Sequence, residues 1–325
     1  MTTKDRILKL LEENRGQYFS GETIAYRLEV TRAAVWKAIK LLQSDGYDIA
    51  AVRNRGYCLS ESSDILSAQG VEKYLNDSSR NLDIAVISET SSTNTYLRER
   101  AENGAKDGTV VIANRQTGGR GRLGRSFYSP SDTGIYLSIL LRPDNKTPQD
   151  AVKLTTLAAV AACEAIESVG DKTASVKWVN DVFVDGKKVS GILTEASFGL
   201  ETGLLDYAVL GIGFNAYAPE GGFPEDIASV AGAIYDSRQS DGKNRLAAAF
   251  LNRFMQYYSD KDLGNYADEY RKRSFVIGKD ILVISSDGQR KAEAVSIDDS
   301  CRLLVRYGDG STELLSSGEI SIRAI

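Results

Sequence analysis

Apolar residues recur at helical spacing in three early stretches. Ile7, Leu8 and Leu11 mark the first helix, over residues 5–14. Gly21-Glu22-Thr23 opens a second, through Ile24, Ala25 and Leu28. "VTRAAVWKAIKLLQSDG" reads as a third: Thr31 is suited to cap it, Val35, Ile39 and Leu42 form one face, and Gly46 ends it. The period then changes. "YDIAAVRNRGYCL" holds two short β-prone runs around Arg53-Asn54-Arg55-Gly56, which predicts a hairpin. Two closely joined helices followed by a hairpin tipped with arginines predict a winged helix-turn-helix over residues 1–62.

From about Asp83 strands alternate with helices. "LDIAVIS", "TVVIANR", "GIYLSILL", "SVKWV", "KVSGILTEA" and "DYAVLGIGFN" are rich in Val, Ile and Leu and read as strands. "TNTYLRERAEN" reads as a helix, and so does "DAVKLTTLAAVAACEAIESVG", whose wide apolar face predicts burial. This is a mixed α/β domain, taken as residues 63–273. Beyond it, about five short strands are predicted over 274–325, with turns at Asp287-Gly288, Asp298-Asp299 and Asp309-Gly310; that pattern alone gives any small β-barrel. The whole is an α+β multidomain chain, and its 325 residues suit two or three domains.

Composition removes whole classes of chemistry. There is no histidine, so Ser-His-Asp and Cys-His catalysis in their usual forms are excluded, along with the commonest transition-metal ligand. Cys58, Cys163 and Cys301 lie far apart with no CxxC, which suggests neither disulfides nor a zinc site and points to a reducing cytoplasm. The charged start is not that of a signal peptide, and no apolar run reaches membrane-spanning length. Residues 1–60 carry ten Lys and Arg against seven Asp and Glu, a net +3 in a chain of net −4. A positive module on an acidic body is expected of a DNA reader, with Thr31, Arg32, Lys37, Lys40, Arg53 and Arg55 as its contact residues. A helical module for protein contacts is the plainer reading, and the basic hairpin tip weighs against it.

Without histidine, chemistry must rest on Lys, Arg, carboxylates, backbone amides or a hard metal ion. No Rossmann fingerprint or Walker A loop is present. Three other stretches could hold an anion. "NRQTGGRGRLGRS" packs four arginines and four glycines into thirteen residues, with no acidic residue between Asp107 and Asp132. Its glycines let amides approach an anion, and Arg120, Arg122 and Arg125 offer planar donors, so a strap that orders over an anion is expected. "SSTN" (Ser91–Asn94) sits where a strand hands over to a helix; as plain helix caps its hydroxyls would serve equally well. "KWVNDVFVDGKKVSGILTEA" turns at Asp185-Gly186-Lys187-Lys188 and leaves Lys177, Asp181 and Lys188 near one sheet end. It too reads plainly as a hairpin with solvated lysines.

Those residues carry a resemblance. "SSTN", "GGRGRLGR", "KWVND" with "GKKVSGILTE", and "GIGFN" follow in this order behind a helix-turn-helix, and essentially the whole chain resembles a bifunctional biotin protein ligase and biotin operon repressor. The resemblance implies that biotin attacks ATP at the α-phosphate to give biotinyl-adenylate, after which a lysine of a carboxylase biotin-carrier domain takes the biotin. It implies Lys188 and Arg122 as catalytic residues. Ser92, Thr93, Asn94, Gln116, Arg120, Gly121, Arg122 and Lys188 fall to biotin, and Arg120, Arg122, Lys177, Asn180, Asp181 and Asn215 to ATP or the adenylate. It further implies Mg²⁺ arriving with ATP and no metal site of the protein's own, an SH3-like fold for the tail, operator DNA as a partner, and a homodimer once adenylate is bound. The family usually has proline where this chain has Val179, so a looser turn is expected before Asn180 and Asp181. Two alternatives stay open: a ligase for lipoate or another acyl carrier, and a ligand-sensing regulator without ligase activity.

Overall fold

Capping residues set the ends of the first three helices. The computed structural model describes residues 1–143, 148–199, 201, 203–259, 266–285, 288–316 and 321–324. Thr2 and Asp5 cap α1 (Thr3–Glu12) reciprocally: Asp5 N donates to Thr2 Oγ1 at 3.2 Å and Thr2 N to Asp5 Oδ2 at 2.8 Å. Ser20 Oγ accepts from Thr23 N at 2.9 Å to start α2 (Gly21–Leu28), and Thr31 Oγ1 accepts from Ala34 N at 3.1 Å to start α3 (Arg32–Ser44). Ile7, Leu8, Leu11, Ile24, Val35, Ile39 and Leu42 meet in one core, the faces expected from their spacing. Strands β1 (Ile49–Val52) and β2 (Gly56–Leu59) pair antiparallel around Arg53–Arg55, with Asn54 at φ 64°. Gly56 permits a close approach, since a Cβ there would lie 2.1 Å from Phe19 O. Phe19 and Tyr57 exchange two backbone bonds of 2.9 Å, which fastens the hairpin to the segment before α2.

The short helix α4 (Ala68–Glu72) leads into β3 (Asp83–Thr90), α5 (Thr93–Glu102), β4 (Thr109–Gln116), β5 (Gly134–Leu141), α6 (Pro148–Val169), β6 (Ala174–Lys177), β7 (Asp181–Val184), β8 (Lys187–Phe198) and β9 (Leu205–Asn215). Seven strands form one sheet in the order β3-β4-β5-β9-β8-β7-β6; β3 and β4 pair in parallel, the others antiparallel. Alternation along the strands sorts its two faces. Val110, Ile112, Ile139, Leu141, Ala208 and Leu210 pack with α6, whereas Val111, Leu140 and Val209 pack with Leu97 and Ala101 of α5. After β9 come α7 (Glu225–Ala228), α8 (Gly242–Ser259) and α9 (Tyr266–Arg273). Sequence reading left α8 unassigned, although Leu246, Phe250, Leu251, Phe254 and Met255 repeat at helical spacing and bury beside α6.

At Val179 the expected loosening meets a packed turn. Strand β6 stops at Lys177, short of the predicted run through Val179, and the Trp178–Val179 peptide is cis. Val179 is buried, and its carbonyl accepts from Tyr270 Oη at 3.0 Å. Asn180 exchanges bonds with Ile192, its carbonyl accepting from Ile192 N at 3.0 Å and its Nδ2 donating to Ile192 O at 2.9 Å. Asn180 is therefore held without proline.

The tail holds β10 (Asp280–Ser285), β11 (Gly288–Ile297), β12 (Leu303–Tyr307), β13 (Thr312–Leu315) and β14 (Ser321–Ala324), an antiparallel sheet in the order β13-β12-β11-β10-β14. The turns predicted at Asp298-Asp299 and Asp309-Gly310 connect successive strands; Asp287 of the third lies outside the described residues. Trp178 Nε1 donates to Cys301 O at 2.8 Å, tying this sheet to the central domain. All three cysteines are buried and free. Among the described residues no helix is long and apolar enough to cross a membrane.

Buried charge joins the helix-turn-helix to the central domain. Arg15 Nη2 lies 2.7 Å from both Glu12 Oε2 and Asp241 Oδ1, and Lys73 Nζ lies 2.7 Å from Glu12 Oε2 and 2.6 Å from Asp241 Oδ2. Tyr74 Oη also donates to Asp241 at 2.7 Å. Removing Asp241 would leave Arg15 and Lys73 to share Glu12 alone, one largely buried positive charge uncompensated, so Asp241→Ala is expected to destabilise the chain by about 3–5 kcal/mol. Urea unfolding measures this, and a loss below about 1 kcal/mol would mean that water screens the cluster.

Candidate active site

Every central-domain residue proposed for ligand from the sequence lines one cavity of about 1060 Å³: Ser92, Thr93, Asn94, Gln116, Arg120, Gly121, Arg122, Lys177, Asn180, Asp181, Lys188 and Asn215. Its volume exceeds the roughly 300–1,000 Å³ typical of a site for one small ligand. The sheet carries it because glycines clear one face. A Cβ at Gly213 would lie 2.4 Å from the Phe127 ring, and one at Gly211 would lie 2.1 Å from Asn94 Oδ1. These are alternate residues of β9 and therefore share a face.

The floor forms where β3 hands over to α5. Ser92 sits at the N-cap but makes no capping bond through its side chain. Gln116 Oε1 instead accepts from Thr93 N at 2.8 Å and Thr93 Oγ1 at 3.1 Å, while its Nε2 donates to Ser129 Oγ at 3.0 Å. Ser138 Oγ lies 2.7 Å from both Thr93 Oγ1 and Asn94 Oδ1. Thr93 and Asn94 of "SSTN" are thus joined through Ser138 at the cavity edge. Plain helix capping does not account for them.

The glycine-arginine segment differs from the expected strap in having a folded form of its own. Gly118 N donates to Ser91 O at 2.8 Å, Phe127 N to Gly119 O at 2.9 Å and Gly121 N to Arg125 O at 2.7 Å. Leu123 and Gly124 turn its tip in the left-handed region, at φ 56° and 73°. Arg122 Nη1 donates to Asn180 Oδ1 at 3.2 Å, whereas its Nη2 is buried with no hydrogen-bond partner. Burial pushes the Arg122 pKa down, and the Asp181 carboxylate opposes that shift. Arg122 lines the cavity, and a buried cationic donor left unmatched there suits an anion.

Lys188 arrives from the opposite wall. A register irregularity between β7 and β8 falls beside it, the kind of bulge that re-aims a side chain. The side chain crosses Gly191, where a Cβ would lie 3.3 Å from Lys188 Nζ. Lys188 Nζ is 2.7 Å from Asp181 Oδ1, an ion pair not aligned as a hydrogen bond, since that oxygen has no hydrogen-bond partner. The adjacent residues Asn180 and Asp181 therefore each hold one of the two cations and bring them to one place. Asn215 closes the end of β9, its Nδ2 donating to Gly232 O at 3.0 Å.

Sequence reading missed Phe127, Trp178, Glu195, Gly211, Gly213 and the wall formed by Phe223, Ile227 and Val230. Glycines two apart in "GIGF" and one acid in apolar β8 were available signals; nothing local marked Phe127. Away from the cavity, Arg32, Lys37, Lys40, Arg53 and Arg55 are exposed on α3 and the hairpin, and Arg55 stacks 4.0 Å over the Tyr18 ring. Tyr26 and Trp36, 86% and 57% exposed, lie on α2 and α3 and were also missed.

This fold and cavity define an acyl-activating ligase: residues 86–215 match the biotin/lipoate A/B protein ligase family, 3–58 a helix-turn-helix domain, and 276–323 the biotin protein ligase C-terminal domain. The bifunctional ligase/repressor BirA of Bacillus subtilis is 30% identical over 327 residues, covering 97% of this chain and 98% of that one. Its Escherichia coli counterpart is 29% identical, covering 95% and 94%. A biotin protein ligase from Aquifex aeolicus, solved with biotin and ATP, superposes with a TM-score of 0.63 at 27% identity, covering 75% of this chain and 99% of that one. The chain belongs to the family of bifunctional biotin protein ligases and repressors.

Proposed function

We propose that the chain joins biotin to ATP as biotinyl-5'-adenylate, transfers the biotin to a lysine of the biotin-carrier domain of acetyl-CoA carboxylase, and in its adenylate-bound form represses biotin genes at operator DNA. The observation that carries this reading is the meeting of Lys188 and Arg122 at Asn180-Asp181. Joining a carboxylate to a phosphate brings two anions together, which at 4 Å costs about 4 kcal/mol at an effective dielectric of 20. Lys188 bridges the biotin carboxylate and the α-phosphate and offsets that repulsion. Arg122 covers the phosphate with its unmatched Nη2. Ser92, Thr93, Asn94 and Gln116, with the loop at Arg120 and Gly121, surround biotin, and Lys177, Asn180, Asp181 and Asn215 take the nucleotide side. ATP brings Mg²⁺, which stays largely on phosphate as that ion prefers.

We assign residues 1–62 to DNA binding, 63–273 to catalysis and 274–325 to a small SH3-like barrel, and we place the protein in the cytoplasm, dimeric once the adenylate is bound. Biotin-dependent exchange between ATP and pyrophosphate tests the activity; exchange driven by lipoate instead of biotin would overturn the substrate. Arg122→Gly is expected to bind biotin nearly as before but to leak adenylate, seen as biotin on unrelated lysines. Release at the wild-type level would remove Arg122 from retention.

A further inference from the structure

Glu195, in β8, holds three partners from two other elements. Asn94 Nδ2 of α5 donates to its Oε2 at 2.9 Å, Arg120 Nη1 of the glycine-arginine loop donates to its Oε1 at 3.0 Å, and Arg98 Nη1 of α5 lies 3.5 Å from Oε1. Asn94 belongs to the cavity floor, where it meets Ser138 and donates to Leu193 O at 3.2 Å. One carboxylate thus ties the floor to the loop. The two loop arginines differ accordingly: Arg122 keeps a buried donor unmatched, whereas Arg120 is engaged with Glu195.

We infer that Glu195 is a positioning residue, a latch that holds the glycine-arginine loop over the bound acyl-adenylate through Arg120 and links its closure to the floor through Asn94. This rests on the ligase reading above. The latch acts on retention more than on capture. Biotin is grasped mainly by the floor, while the adenylate also needs the loop over its phosphate, and a loop freed from Glu195 opens more often. Arg120 needs a charged partner, but Asn94 needs only an acceptor oxygen, which glutamine supplies. Glu195→Gln therefore separates the latch from the floor.

The test preloads the full chain with labelled biotin and MgATP, chases with unlabelled biotin, and follows release of biotinyl-adenylate beside release of biotin alone. Glu195→Gln and Arg120→Gln are each expected to speed adenylate release by about fivefold, the worth of a partly exposed ion pair. The double variant should be no faster than either single one, and Arg120→Lys should restore most of the slow release. From Glu195→Gln, biotin alone should leave within about twofold of the wild-type rate, because the floor's hydrogen bonds persist. Arg120→Gln lies on a loop and keeps the test available if Glu195→Gln folds poorly. Wild-type release from Glu195→Gln, additive effects in the double variant, or equal acceleration of biotin and adenylate would overturn the latch, the last being the mark of a merely structural role. A wild-type chain that forms no adenylate would overturn the ligase reading, and the latch with it.

Discussion

Lys188→Gln is expected to slow adenylate formation by about three orders of magnitude with the fold intact, since about 4 kcal/mol of anion repulsion is left unopposed. Lys188 sits at the cavity wall with its ammonium on Asp181, so its loss opens no hole in the core. Removing the cation also leaves Asp181 uncompensated beside the incoming phosphates, which adds to the effect. Pyrophosphate exchange and a melting curve on the same sample check both halves. Unchanged exchange in a folded variant would remove Lys188 from the chemistry and leave Arg122 as the cation at that place.

The second large effect concerns DNA. Arg32 opens α3, where the first residues of a recognition helix enter the major groove, and Arg55 stands on the hairpin. Each arginine withdrawn from a phosphate lowers the slope of log K against log salt by about 0.9, so replacing both with Ala should flatten it by about 1.8. Operator binding should weaken, and ligation should persist because neither residue lines the cavity. Wild-type binding should tighten when biotin and ATP are supplied together, as expected if adenylate favours a dimer spanning two half-sites. Gel shifts on DNA upstream of the organism's biotin genes, across a salt series, measure all of this. Equal binding by wild type and double variant at every salt concentration would return the N-terminal module to protein contacts.

Much of this was legible because local chemistry set it. Thr31 caps α3 as its sequence position implies, and Gly46 ends that helix at φ 93°. The grouping of the glycine-arginine segment with the lysine hairpin was legible too, since both stand out in the sequence, and Arg120, Arg122, Lys177 and Lys188 line one cavity. What escaped depends on contacts between distant segments. Glu195 meets Arg120 across 75 positions, and Phe127 becomes part of the site only because Gly213 leaves space beneath it. The folded form of the glycine-arginine loop escaped for the same reason: its first bond goes to Ser91, a residue of another segment. Helix α8 is different. Its apolar period, Leu246, Phe250, Leu251 and Phe254, is present in the sequence itself.

We propose that this one cavity completes both half-reactions. The most direct test is the intact mass of a biotin-carrier domain of acetyl-CoA carboxylase after incubation with the protein, biotin and MgATP. A gain of one biotin on a single lysine, absent when ATP is omitted or Lys188 is replaced by Gln, is the predicted result. An unchanged acceptor mass with folded wild-type protein would contradict it.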